Sequence, residues 1–166
     1  MDEVYIQKIN EVSQFILGRL INMGASKEDA EDIVQETIYK YFLFVDSIQP
    51  NNAKSWMFKV SLNMFYDLVK KRRTEKGYFL NFHLDDLNTE LTPEDIIVKK
   101  ALAENVIDIL ERLNSTYKNL LILKYSTGLK YQEIADLLNM SVGNVKMNLF
   151  RARQNFIKEY GRIKNE

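Results

Sequence analysis

The stretch 129–146 constrains the fold of this chain more than any other part of the sequence. Apolar side chains in its first half recur at i, i+3, i+4 and i+7, which predicts a short amphipathic helix. These residues are Tyr131, Ile134, Ala135 and Leu138. Ser141 then offers a hydroxyl that can accept from an orphan backbone N–H and so begin a second helix. The stretch therefore predicts two helices joined by a tight turn, a helix-turn-helix.

The second predicted helix has two chemically different faces. A narrow apolar stripe must pack in the core: Val145, Leu149, Ala152 and Phe156. The other side offers cationic, amide and apolar side chains together: Asn144, Lys146, Met147, Phe150, Arg151 and Gln154. Apolar groups on such a face make sense where a thymine methyl group or a sugar covers them. We therefore interpret this face as a reader of duplex DNA; an ordinary helical hairpin would explain only the buried stripe.

Composition excludes several classes of protein. The sequence has no cysteine, which excludes disulfides and thiolate metal sites and is compatible with a reducing compartment. Its first residues are acidic, no apolar signal segment follows, and no apolar run could span a bilayer. We therefore expect a cytoplasmic protein with no membrane insertion of its own. No Gly-rich phosphate loop or nucleophile motif is present, so we expect neither an enzyme nor a cofactor.

Charge is balanced overall, with 23 basic and 23 acidic side chains, but it is separated along the chain. Residues 81–113 hold 3 basic and 8 acidic side chains, a net charge of −5, and residues 114–166 hold 9 and 4, a net charge of +5. Residues 27–36 contain five carboxylates and one lysine, whereas residues 54–73 contain six cations and one aspartate. Separated charges of this kind predict more than one kind of partner.

Helical periodicity extends through most of the remaining chain. It predicts a first helix ended by Gly24, a second capped by Ser26, and a third from about residue 53 to residue 71. We expect the second helix to bury the following side chains: Ala30, Ile33, Val34, Thr37, Tyr41 and Phe44. In the third, Phe58 and Phe65 fit an apolar stripe, and the remaining rings lie among cations.

The period is lost over residues 74–92, and Thr92 followed by Pro93 is a typical helix start. We therefore predict an all-α chain of two small helical domains, residues 1–73 and 93–166. Residues 74–92 would form the linker between them, and the second domain would contain the helix-turn-helix.

The segment 54–73 suits single-stranded DNA. Aromatic rings such as Trp56 can stack on unpaired bases at ~1–3 kcal/mol each, while lysines and arginines follow the phosphates. A chain with one duplex-reading module and one candidate single-strand module is typical of a protein that opens promoters.

Several motifs in one order give this chain a family resemblance. Residues 29–37, then 55–63 with the 70–73 basic run, resemble region two of the extracytoplasmic-function (ECF) sigma factors. Residues 92–95 resemble the entry to region four of that family. Region four itself is matched by residues 131–135, 142–146 and 150–153. The resemblance covers nearly the whole chain and implies a small subunit that brings bacterial RNA polymerase to promoters.

The resemblance also implies roles for individual residues. Asp32, Gln35 and Glu36 are expected to dock on the clamp helices of core RNA polymerase. The minus-ten element would be recognised and melted by Trp56, Lys59, Asn63, Lys70, Lys71, Arg72 and Arg73, with Asn63 near the pocket for a flipped base. The minus-thirty-five element would be read by Asn144, Lys146, Met147, Phe150, Arg151 and Gln154. The further expected partners are promoter DNA, the polymerase flap and an anti-sigma factor.

Some positions depart from the family pattern. Asn114 stands where the family usually has proline, and Asn144, Met147 and Asn148 replace a common threonine, serine and arginine. These changes leave the sequence of the minus-thirty-five element open, because they alter the residues that face the groove.

Two other classes of function compete with this interpretation. A one-component helix-turn-helix regulator would bind DNA without polymerase, usually as a dimer, but it would not need the acidic segment 27–36 or the basic aromatic segment 54–73. A metal-dependent hydrolase using His83, Asp85 and Asp86 is the more distant alternative, since no metal-binding spacing surrounds these residues.

Overall fold

The computed structural model describes residues 2–73, 75, 80, 93–94, 96–97 and 106–166. The chain divides into two compact units, Met1–Asn81 and Phe82–Glu166. Every regular element within the described ranges is helical, which confirms the predicted all-α class. No helix in this part of the chain is long and apolar enough to cross a membrane.

The described part of unit 1 contains three α-helices that pack on one another. They are α1 (Glu3–Asn22), α2 (Lys27–Phe44) and α3 (Ala53–Arg72). Two short 3-10 turns, Val45–Ser47 and Pro50–Asn52, connect α2 to α3. The core contains apolar side chains of all three helices, including Ile16, Leu20, Ala30, Met57, Leu62 and Phe65. Leu80, within the predicted linker, is also buried.

The junction between α1 and α2 forms as the sequence predicts. Gly24 follows α1 with a φ of 108°, a conformation that glycine adopts without steric cost, and Ala25 N–H donates to the Leu20 carbonyl at 3.0 Å. Ser26 caps α2, since its Oγ accepts from Asp29 N–H at 3.1 Å. Both local signals in the sequence are therefore confirmed.

The prediction that Phe44 is buried is wrong, because its side chain is 53% exposed. The backbone leaves helical geometry at this residue, with φ −111° and ψ 9°, and enters the Val45–Ser47 turn. Helical spacing therefore no longer determines the environment of the side chain. The ring lies on the surface instead, with its centroid 6.3 Å from that of Trp56.

Unit 2 is built around one long helix. Within residues 106–166 its helices are α4 (Val106–Glu111), α5 (Ser115–Tyr125), α6 (Tyr131–Leu138) and α7 (Val142–Lys164), and α7 packs against the other three. The predicted stripe of Val145, Leu149, Ala152 and Phe156 is fully buried. The pattern therefore identified the inner side of α7 correctly. Pro93 and Glu94 are helical, but the predicted N-cap Thr92 lies outside the described residues.

Asn114 has a clear local role in unit 2. Its Oδ1 accepts from Tyr117 N–H at 2.8 Å and so caps α5. Asparagine is among the most favourable N-cap residues. The departure from proline at this position thus still provides a helix start.

Candidate nucleic-acid interface

The turn between α6 and α7 is determined by local hydrogen bonds and by one left-handed residue. At the start of α6, Lys130 N–H donates to Glu133 Oε2 at 2.6 Å. Asn139 ends α6 with φ 54° and ψ 45°, a conformation that asparagine tolerates better than most residues. Ser141 Oγ accepts from Asn144 N–H at 3.1 Å and starts α7. These contacts build the tight turn that the sequence predicts and fix the direction of α7.

The outward face of α7 contains all six side chains that were predicted to read duplex DNA. Met147 and Phe150 are 45% and 55% exposed, respectively. Asn144, Lys146, Arg151 and Gln154 are exposed beside them. We call these six residues the outer face of α7. The burial of the opposite stripe explains why large apolar side chains remain in solvent here, since the helix cannot rotate without exposing its core residues.

Two arginines near this face have different environments. Arg151 is exposed, whereas Arg153 is half-buried and hydrogen-bonds to Tyr125 and Tyr131. Burial lowers the pKa of Arg153, but its interactions with the two tyrosines outweigh this effect and raise it. Lys124 Nζ lies 4.2 Å from the Tyr131 ring centroid. Sequence spacing placed Tyr131 on the buried face and missed this cationic cluster, which joins α5, α6 and α7.

In unit 1, Trp56, Lys59 and Asn63 lie on one side of α3, as their i, i+3, i+7 spacing predicts. Lys59 and Asn63 are exposed, and Trp56 is partly buried. The Trp56 ring centroid is 6.1 Å from that of Tyr41, so the indole is supported from within the unit. Lys70 continues the same side two turns further along.

The basic residues at the end of α3 lie in two different environments. Lys70, Lys71 and Arg73 are exposed. Arg72 instead forms an ion pair with Asp29 at the start of α2, with 3.4 Å between Nη1 and Oδ2. The sequence gave no sign of this contact, because the two residues are far apart along the chain. Arg72 therefore holds the end of α3 against α2.

An open recess lies beside Trp56, where α2 passes into α3. It has a volume of about 580 Å³ and is lined by Phe44, Ser47, Ile48, Gln49, Asn52 and Trp56. We call it the Trp56 recess. Asn63, which was expected near a base pocket, does not line it. Sequence reasoning missed the recess because four of its six lining residues lie in the segment 45–52 that connects α2 to α3, for which helical periodicity makes no prediction.

The acidic side of α2 is exposed in the structure. Asp32, Gln35 and Glu36 all face solvent, and Glu36 lies 3.7 Å from Lys40 Nζ. Tyr39 and Leu43 continue the same side of the helix and are 60% and 59% exposed. We call Asp32, Gln35, Glu36, Tyr39 and Leu43 the α2 surface. Large exposed apolar side chains in line with carboxylates are typical of a protein contact surface.

Among the described residues, no group of three or more histidine, aspartate or glutamate side chains could hold a metal ion. His83, Asp85 and Asp86, the residues of the hydrolase alternative, lie outside the described residues.

Comparisons with known proteins agree along the length of the chain. The protein-family model for Sigma-70 region 2 matches residues 9–75, and the protein-family model for Sigma-70, region 4 matches residues 103–156. The chain is 31% identical over 169 residues to the ECF RNA polymerase sigma factor SigM of Bacillus subtilis, a match that covers 100% of this chain and 98% of that protein. It is 26% identical over 170 residues to SigW of the same organism, covering 95% and 85%.

Among solved structures, the chain is similar to the sigma factor RpoE from Bartonella quintana, which was solved in complex with the anti-sigma factor NepR. The TM-score is 0.46 and the identity 21%, with 95% of this chain and 97% of that chain covered.

Proposed function

This chain belongs to the ECF sigma factors of RNA polymerase, and we propose that it binds core RNA polymerase and directs it to specific promoters. In this proposal unit 1 docks on the polymerase and opens the minus-ten element, while unit 2 reads the minus-thirty-five element. The protein acts in the cytoplasm and has neither catalytic activity nor a cofactor of its own. The polymerase flap and an anti-sigma factor are further proposed partners.

The single observation that supports strand opening most directly is the Trp56 recess. An unpaired base can stack on an aromatic wall while amide and hydroxyl groups offer hydrogen bonds to its edge. Phe44 and Trp56 provide the walls, and Gln49 and Asn52 provide the amides. Lys59 is exposed one turn along α3 from Trp56 and can neutralise a phosphate of the same strand.

The outer face of α7 supports the proposal that unit 2 recognises the minus-thirty-five element. An arginine that reaches a guanine edge with two hydrogen bonds contributes ~1–3 kcal/mol of discrimination. Arg151 is the exposed arginine on this face, and Met147 and Phe150 offer apolar contacts to thymine methyl groups. Gly143 adds a position without a side chain near the start of α7, and a Cβ there would meet nothing within 4 Å.

Polymerase docking is supported by the α2 surface. Its carboxylates fit a basic partner, and the neighbouring Tyr39 and Leu43 provide apolar area that water leaves on binding. The clamp helices of core polymerase are the proposed partner. Asp29 is not part of this surface, because it pairs with Arg72.

Variants of the Trp56 recess and of α7, compared in the reconstituted holoenzyme, test the two proposed DNA roles: opening of the minus-ten element and recognition of the minus-thirty-five element. Trp56→Ala is expected to lower permanganate reactivity of minus-ten thymines while initial promoter binding persists. Gln49→Ala, at an exposed recess residue, repeats the test without disturbing the core. Arg151→Ala is expected to do the reverse, weakening initial binding while any complex that forms still opens. Normal thymine reactivity in both recess variants would contradict the proposed role of unit 1.

A further inference from the structure

The end of α3 extends beyond the hydrophobic core of unit 1. Val69 is the last buried residue of this helix. The next four residues, 70–73, are all cationic, so this turn has no apolar side chain to bury. Helix ends without buried apolar contacts open readily. A polar contact outside the core is therefore required to hold the basic end of α3 in one position.

The ion pair between Arg72 and Asp29 provides such a contact. Arg72 Nη1 lies 3.4 Å from both carboxylate oxygens of Asp29. Ser26 Oγ donates a hydrogen bond to Asp29 Oδ2 at 2.9 Å and so orients the carboxylate. The Asp29 side chain is 16% exposed, and that of Arg72 is 37% exposed. The guanidinium group therefore meets a carboxylate that is already fixed at the start of α2.

Arg72 faces away from the side of α3 that is proposed to bind DNA. Residues three or seven apart share one side of a helix, whereas residues two apart do not. Lys70 therefore shares a side with Asn63 and Arg73, and all three are exposed. Arg72, two residues after Lys70, points toward α2 instead. The sequence assigned every cation of residues 70–73 to DNA, and the geometry sets Arg72 apart from the others.

On α2, the ion pair lies beside the α2 surface. Asp29, Asp32 and Glu36 follow one another at i, i+3 and i+7 and so lie on one side of the helix. The pair therefore connects two regions with different proposed partners: the side of α2 that docks on polymerase and the end of α3 that follows DNA phosphates.

We propose that Arg72 is a positioning residue. It fastens the basic end of α3 to α2, so that Lys70 and Arg73 meet DNA phosphates at a fixed place relative to the docked polymerase. Arg72 itself contacts no phosphate. This inference rests on the proposed function, because it assumes that α2 docks on polymerase and that α3 binds minus-ten DNA. It replaces the DNA-contacting role that sequence position alone gave to Arg72.

The salt dependence of DNA binding separates positioning from direct contact. The full chain would be bound to core RNA polymerase, and its affinity for fork-junction DNA with a minus-ten element would be measured over a range of salt concentrations. Lys70→Gln is expected to make the slope of log affinity against log salt shallower by about 0.7–0.9, for one lost phosphate contact. Arg72→Gln is expected to lower affinity by about 2- to 5-fold, the effect of one exposed ion pair, with the slope unchanged.

Asp29→Asn gives the sharper test, because charge and positioning predict opposite signs. Removing a carboxylate near a DNA-binding surface should raise affinity for DNA if only charge matters. If Asp29 positions Arg72, the variant should instead lower affinity as much as Arg72→Gln does. The double variant should then lose no more affinity than either single variant, because both remove the same contact.

Glu28→Gln is the matched control. It removes an exposed carboxylate from the same turn of α2 and leaves the ion pair intact, so its affinity should be unchanged or slightly higher. Asp29→Asn and Arg72→Gln change the side-chain volume little, and Trp56 fluorescence checks that unit 1 of each variant is folded. If Asp29→Asn does not fold, the salt slope of Arg72→Gln still tests the proposal.

The alternatives give different results. A shallower slope in Arg72→Gln, like that of Lys70→Gln, would reveal a direct phosphate contact and overturn the inference. Higher affinity in Asp29→Asn would also overturn it. So would normal affinity in both variants together with a less stable unit 1, because the pair would then serve the fold alone. Unchanged affinity in Lys70→Gln and in Trp56→Ala would reject DNA binding by unit 1, and both the proposed function and this inference with it.

Discussion

Two phenylalanines on opposite sides of α7 give a sharp test of how unit 2 is oriented. Phe156 is fully buried beside Leu149 and Ala152, whereas Phe150 is 55% exposed. Truncating a buried phenylalanine to alanine costs about 3–5 kcal/mol, because transfer and cavity terms add. Truncating an exposed one changes stability by about ±0.5 kcal/mol. We therefore expect Phe156→Ala to destabilise unit 2 strongly and Phe150→Ala to leave it nearly unchanged.

The two units can be followed separately during denaturation. The only tryptophan of the sequence, Trp56, lies in unit 1, so its fluorescence reports that unit alone. Circular dichroism reports the helices of both units. Phe156→Ala should shift only the unfolding transition of unit 2, which is seen by circular dichroism and not by fluorescence. The fluorescence transition of unit 1 should stay in place and serves as the internal control.

Transcription should respond strongly to Phe150→Ala, the variant that changes stability little. If Phe150 contacts DNA, Phe150→Ala should reduce initiation from a cognate promoter by about 10- to 150-fold, the equivalent of ~1.5–3 kcal/mol for burying a phenylalanine side chain, while polymerase binding persists. A Phe150→Ala variant with normal transcription and a loss of more than about 2 kcal/mol in stability would refute this orientation of α7.

Three further predictions concern separate parts of the molecule. The double variant Asp32→Lys, Glu36→Lys should bind core polymerase more weakly in a native gel at moderate salt, whereas Glu3→Lys, on another helix, should bind normally. Equal binding by the two variants would contradict docking through the α2 surface. Asn139 has a φ of 54°, so Asn139→Ala should destabilise unit 2 by about 1 kcal/mol in urea, and Asn139→Gly should be less destabilising; an equal loss in both variants would contradict a role of the positive φ. The raised pKa of Tyr41 favours the neutral phenol in the fold, so its stabilising contribution is present in full below pH 10 and is lost as the pH rises through 12. The stability of unit 1, followed by Trp56 fluorescence, should therefore fall over this window, and less so in Tyr41→Phe; equal slopes would contradict the assignment.

What the sequence predicted well depended on short-range rules. Ser26 and Ser141 cap their helices because the acceptor and the orphan N–H groups are three residues apart. The buried stripe of α7, including Val145 and Phe156, follows from helical geometry alone. Once that stripe is buried, the outer face of α7 is determined, which is why this candidate surface could be identified before the structure.

What the sequence did not predict depends on contacts between distant segments or on the geometry of the turns that connect helices. The pairing of Arg72 with Asp29 joins two helices, and no spacing rule connects residues so far apart. Phe44 lies where a helix changes into a turn, so its periodicity predicted burial and its backbone geometry prevented it. The Trp56 recess is lined by residues between Phe44 and Trp56, and its shape depends on the turns that connect α2 to α3. Helical periodicity makes no prediction for such turns, although Trp56 itself was singled out.

The proposed function requires that this chain gives RNA polymerase its promoter specificity. The most direct measurement is run-off transcription by core polymerase, with and without the purified chain, across a library of minus-thirty-five and minus-ten sequences. We expect defined start sites that appear only when the chain is present and that require both elements. No gain in specific initiation, together with tight binding of the free chain to a two-fold DNA site as a dimer, would contradict it and favour a one-component regulator.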